Sequence, residues 1–204
     1  METTPQDLLV VALEARAGRR PEQGELSLAL AGAELVDLLD VGAVRLADTR
    51  ILPLDPPAVA DRLLAGAAAA LVRQPPFESV EDWLWRRGRG LAAAYAAELR
   101  AEGQSRHHRF HRRHVEGGGA VPADAPERRA AVDRWASREP VLAALGAAAG
   151  IDDPPPGDQP DIADDAVATV LAAVSDAVRE LDAVRQRRAI EKAAFDNIWR
   201  GAVG

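Results

Sequence analysis

The sequence predicts a mainly α fold: a single-domain helical bundle with one short β-hairpin. Three observations predict it. Apolar residues recur at helical spacing through most of the 204 residues; Gly and Pro cut that pattern into helix-length pieces; and one stretch, residues 44–54, alternates like paired strands.

Residues 7–17 read as the first helix, with Leu8, Leu9, Ala12 and Leu13 near one face and Gly18 as its stop. Residues 27–40 read as a buried helix, apolar all round except at Glu34, Asp37 and Asp40, and ended by Gly42. Val44 to Leu54 follows as the hairpin, with Pro53 marking an edge strand. Asp55-Pro56-Pro57 opens the next helix, expected to run to about Arg73 before Gln74-Pro75-Pro76 breaks it. Ser79-Val80-Glu81-Asp82 carries a capping-box pattern and starts a short helix through Trp83, Leu84 and Arg86.

Residues 88–102 form an Ala-rich helix closed by Gly103, and 104–125 read as irregular, with a Gly117-Gly118-Gly119 joint. Two further helices are expected at 126–135 and 139–149, then a Pro-rich loop at 152–160. Residues 162–199 contain no Gly or Pro and keep helical spacing from Val167 to Val184. We divide the chain into a helical domain, 1–181, and a C-terminal helical extension, 182–204. The extension's apolar residues Val184, Ala189, Ile190, Ala193, Phe195 and Trp199 suit packing on the same chain, exchange with a partner copy, or contact with a membrane.

Composition narrows the function. Hydrophobic residues make up 48% of the chain and aromatics 4%, so the core is built from Leu, Val and Ala. The chain has no Cys, which excludes disulfides, thiolate zinc sites and thiol catalysis. One Lys, Lys192, among so many Arg, with abundant Ala, suggests a GC-rich bacterial genome. No apolar run is long enough to span a membrane or serve as a signal-peptide core, which makes the cytoplasm the expected location, with membrane association through the surface.

The net charge of −7 argues against a general nucleic-acid binder, but it is unevenly spread. From Arg86 to His114 stand eight Arg and all four His against Glu98 and Glu102. Such a strip attracts anionic membranes or polyanions. Its candidate lipid- or anion-binding residues are Arg86, Arg87, Arg89, Arg106, Arg109, Phe110, Arg112 and Arg113. Trp85 beside this cluster suits a headgroup layer. On a helix His107, His111 and His114 would share a face at metal-ligand spacing, but the surrounding Arg oppose a cation, and no metal is expected. The Asp152-Asp153 and Asp164-Asp165 pairs read as loop and helix-start acids. The five Ser have no nucleophile elbow, and there is neither a phosphate loop nor a dinucleotide fingerprint. No cofactor and no catalytic residue is expected.

The order of pieces resembles the Golgi phosphoprotein 3 family from Pro5 to Leu181. The elements that carry the likeness are a helix, a buried helix with the Ala31-Gly32 pair, a hairpin and a helix, then a Pro-bounded break and Val80-Glu81-Asp82-Trp83-Leu84. Later come Glu98 to Gly103, the Ala/Leu segment 140–150 and a final helix from Asp165. The resemblance implies a non-enzymatic peripheral membrane adaptor that recognises phosphatidylinositol 4-phosphate. The family's pocket positions fall at Glu22, Ala31, Arg89 and Ala92, of which only Arg89 keeps the basic residue. The family's exposed hairpin after Gly103 would fall on the basic 104–115 segment. The partners implied are therefore anionic membrane lipids held with weak or non-specific selectivity, an unidentified protein, and a second copy of the chain. The alternatives are a soluble protein–protein scaffold that has lost lipid binding, and nucleic-acid binding through residues 106–114.

Overall fold

The computed structural model describes residues 3–15, 20–55, 61–110, 126–151 and 162–202. Among them the order is α1 (Thr4–Glu14), α2 (Gln23–Asp40), β1 (Val44–Ala47), β2 (Arg50–Pro53), α3 (Arg62–Ala69), α4 (Val80–Arg87), α5 (Leu91–Phe110), α6 (Pro126–Ala136), α7 (Pro140–Ala148) and α8 (Asp165–Ala202). The fold is mainly α with one antiparallel hairpin, as the periodicities predict.

α2 is the centre. Ala29, Leu30, Ala31, Ala33, Leu35 and Leu38 are all 0% exposed, because α1, α3, α4, α5, α7 and α8 pack around them. A helix with no polar face can sit only where neighbours cover every side. It begins a turn earlier than the sequence suggests. Glu22 and Glu25 form a reciprocal capping box that satisfies the first N–H groups, with Glu25 accepting from the Glu22 N–H at 2.9 Å. It ends in a Schellman motif: the Ala43 N–H reaches the Leu38 carbonyl at 2.8 Å, and Gly42 takes φ +67°, which favours glycine.

That turn launches the hairpin. Val44 pairs with Pro53 and Ala47 with Arg50 across a two-residue turn at Asp48-Thr49. β2 then ties to the start of α4, where the Ile51 N–H meets the Glu78 carbonyl (2.9 Å) and the Val80 N–H meets the Thr49 carbonyl (2.9 Å). α7 ends in the same way as α2, with Gly150 at φ +78° and the Ile151 N–H on the Gly146 carbonyl at 2.8 Å.

Other helix boundaries also differ from expectation. α3 starts at Arg62, where Asp61 caps the Leu64 N–H at 2.8 Å, and stops at Ala69; residues 56–60 lie outside the described set. α5 does not stop at Gly103 but continues to Phe110. A helical Gly costs about 1 kcal/mol relative to Ala, and here it is flanked by good helix formers such as Ala101, Glu102, Gln104 and Arg106, which carry the helix across. The irregular segment and hairpin expected from residue 104 are thus helical as far as 110, and 111–125 lie outside the described residues.

Polar contacts close the α1 side. The Thr4 N–H donates to Asp37 at 2.9 Å, and Arg134 reaches Asp7 at 2.6 Å and Glu139 at 3.1 Å. Burial pushes the Asp37 carboxyl up to about 6, against the opposing pull of Thr4 and Arg134. The folded chain therefore holds that proton more tightly than the unfolded chain does. The resulting stability is fully present below about pH 4 and is lost as pH rises through about 6. Melting temperature measured across this window should fall for the natural chain more steeply than for Asp37→Asn, whose amide can still accept from Thr4.

Gly32 sets the distance between α2 and α8. A Cβ there would stand 2.3 Å from a Val174 methyl, and Val174 is itself fully buried. Gly32→Ala should therefore destabilise by about 1–3 kcal/mol through overpacking, despite the better helix propensity of Ala. Urea unfolding measures the loss, and Val174→Ala in the same chain should recover part of it.

Candidate functional site

α4 begins at Ser79, whose Oγ accepts from the Asp82 N–H at 3.0 Å and donates to the Asp82 carboxylate at 2.6 Å, which holds that carboxyl below its ordinary range. One turn on, Trp83 is 0% exposed and its indole N–H donates to the Ala31 carbonyl at 3.0 Å. Trp83 is a core residue, and it orients the outer face of α4.

That face carries the first part of the basic strip. Arg86 forms a two-pronged pair with Glu78 at 2.6 and 2.7 Å and donates to the Ala70 carbonyl at 3.1 Å. Its guanidinium lies 5.3 Å from the Trp83 ring centre. Arg87 turns inward. It grips the fully buried Glu34 with two bonds, 2.7 and 2.8 Å, while the Tyr95 hydroxyl donates to the same carboxylate at 3.0 Å. Burial raises the Glu34 carboxyl, and Arg87 and Tyr95 oppose that rise. Burial, with Glu34 alongside, raises the Tyr95 phenol, which stays protonated and remains a donor. Glu78 and Glu34 therefore neutralise Arg86 and Arg87, and Arg87 braces α4 against α2 and α5.

The chain then turns through Gly88-Arg89-Gly90 into α5. A Cβ at Gly88 would stand 2.6 Å from the Leu84 carbonyl oxygen and 3.3 Å from that of Ser27, so only glycine fits without a shift. Gly90 takes φ +71°. The Ala92 N–H then bonds the Ser27 hydroxyl at 3.1 Å, locking the start of α5 to α2. Arg89 stands exposed between the two glycines. Further along α5, Arg100 is exposed, and Glu98 pairs with Arg62 at 3.3 Å. The helix carries Arg106, Arg109 and Phe110 on its last turns; Arg112 and Arg113 lie outside the described residues, as do His111 and His114 of the histidine cluster.

The family model for Golgi phosphoprotein 3 (GPP34) matches residues 5–199. The chain belongs to the Golgi phosphoprotein 3 family. No curated protein and no solved structure matches it significantly. Among the described residues no helix of this family member is long and apolar enough to cross a membrane.

The positions that the family likeness assigns to a headgroup pocket can now be placed. Ala31 is 0% exposed, its carbonyl holding the Trp83 indole, and Ala92 is 5% exposed at the start of α5. Glu22 caps α2 and pairs with Arg185 at 2.9 Å. Glu22 and Arg89 are exposed, and Arg89 is the only basic residue of the four. Sequence reasoning missed the Glu34–Arg87–Tyr95 cluster, although its signal was present: a lone acid inside an otherwise apolar helix needs a buried cation or donor. Removing Arg87 strands that acid. Arg87→Met should destabilise the fold by about 3–5 kcal/mol, and pairing it with Glu34→Leu should restore a good part of the loss. Chemical denaturation of both variants checks the sign.

Proposed function

We propose that this Golgi phosphoprotein 3 family member is a non-enzymatic peripheral adaptor that meets anionic lipid headgroups through the α4–α5 edge and recruits a protein partner with other surfaces. The supporting observation is the division of labour within the basic strip. Arg86 and Arg87 are consumed by Glu78 and Glu34, whereas Arg89 is exposed, and the remaining cations follow along α5 and just beyond it. The lipid-facing residues of this reading are Arg89, Arg106, Arg109, Phe110, Arg112 and Arg113.

The same reading makes the attraction diffuse. A phosphate monoester is held specifically by several converging charge-assisted hydrogen bonds, each worth about 1.5–3 kcal/mol. With Ala31 and Ala92 buried and uncharged, Arg89 has no basic companions at the family's pocket positions. What remains is a sum over charges near a surface, about 1 kcal/mol each, weakened by salt.

Flotation with vesicles containing phosphatidylserine tests this reading. Binding should fall as salt rises, and neutralising Arg106, Arg109, Arg112 and Arg113 together should remove most of it. At equal total charge, vesicles with and without phosphatidylinositol 4-phosphate should bind within about tenfold, or 1.4 kcal/mol, of each other. Arg89→Ala should weaken binding no more than loss of another single Arg of the strip. Equal binding to neutral and anionic vesicles would count against this reading, and binding to neither would favour a soluble scaffold that has left lipid behind.

A further inference from the structure

α8 is a 38-residue helix, about 57 Å long. Its first half is held by the body: Val170, Leu171, Val174, Ala177 and Val178 are buried against α2, α4 and α7. Its last described tie is Arg185, which pairs with Glu22 and Glu25 at the start of α2. From Gln186 to Ala193 every residue is exposed, including Ile190 at 70%, yet the backbone stays helical to Ala202. A stretch of about two turns with every side chain exposed is marginal in water on its own.

A second feature lies on the outer face of the same helix. A groove of about 450 Å³ runs between α8, the hairpin turn at Thr49 and the start of α4. Val80, Ala172, Ala173 and Ala177 contribute its apolar lining, and Glu81, Asp176 and Glu180 its acids. By helical spacing one stripe of α8 links groove and tail: Ala173, Asp176, Glu180, Ala183, Arg187 and Ile190 alternate three and four residues apart, the period of a paired helix seam.

The charges along that stripe are self-complementary. Residues 176–182 hold Asp176, Glu180 and Asp182 against Arg179, and residues 187–192 hold Arg187, Arg188 and Lys192 against Glu191. We propose that α8 pairs antiparallel with α8 of a second copy about a two-fold axis near Ala183, so that the tail of each copy lies in the groove of the other. Glu180 then faces Arg187 of the second copy, and the reverse pair repeats across the axis, as a two-fold contact requires. Ile190 of each copy reaches the small-residue groove floor beside Asp176. Ala183 at the crossing lets the two backbones approach closely. A parallel pair would instead set Glu180 against Glu180 and Arg187 against Arg187, which like-charge repulsion disfavours.

Sedimentation equilibrium of the full chain at low salt tests this, with circular dichroism confirming that each variant keeps its helix. The natural chain should be a dimer. Glu180→Arg alone and Arg187→Glu alone should each weaken the dimer at least about tenfold, about 1.4 kcal/mol. An equimolar mixture of these two single variants should associate again, because each carries the charge the other lacks, and the E180R/R187E double variant should self-associate like the natural chain. In this Cys-free sequence Ala183→Cys should form a covalent dimer on oxidation. A natural chain that stays monomeric at about 100 μM, where a micromolar contact would be saturated, overturns the proposal. So does a dimer indifferent to both charge reversals, or a monomer whose α8 tail is covered only when vesicles are added.

Discussion

The apolar girth of α2 is the constraint from which the arrangement follows. Its central residues have no face suited to water, so neighbours must enclose it on every side, and six other helices do so. Each large side chain buried there is worth about 1.5–3 kcal/mol, set against the entropy of ordering the chain around it. Close enclosure requires small residues at the contact points, and Gly32 beneath Val174 is the tightest of these.

Glu34 is the charged break in that apolar surface at the α4–α5 side, and it shapes what happens there. A buried carboxylate must be matched, and Arg87 and Tyr95 match it from two different helices. The ion pair thereby fixes the angle at which α4 meets α5, and with it the place where Gly88 and Gly90 turn the chain and Arg89 emerges. The basic edge is therefore positioned by an acid in the core. Arg86 plays the corresponding part at the surface, joining Glu78 and the end of α3 while lying over Trp83.

α8, packed against α2, α4 and α7, combines two roles. Its first half completes the wall around α2, and beyond Arg185 residues 186–193 are exposed. The boundary drawn from sequence between residues 181 and 182 falls inside one continuous helix, so the extension inherits its direction from the packed half. That rigid continuity gives the exposed charges of the tail a fixed phase relative to the acids at the groove.

Much of this was legible in the sequence, because it depends on local chemistry. Apolar periodicity marked the helices, alternation marked the hairpin, and the Ser79 cap and the Gly42 stop named their own positions, since each is a contact between residues a few apart in the chain. The order of these pieces was also enough to indicate the family. What local chemistry could not settle was left to the tertiary structure. Gly103 reads as a helix stop, yet α5 runs through it, because the cost of one Gly is small beside the propensity of its flanks. Arg86, Arg87 and Arg89 look alike in sequence, and only the fold separates a clamp, a core ion pair and an exposed cation. The physical reason is that a charge takes its role from partners distant in sequence: Glu34 lies 53 positions from Arg87, and no periodicity in the chain records that meeting.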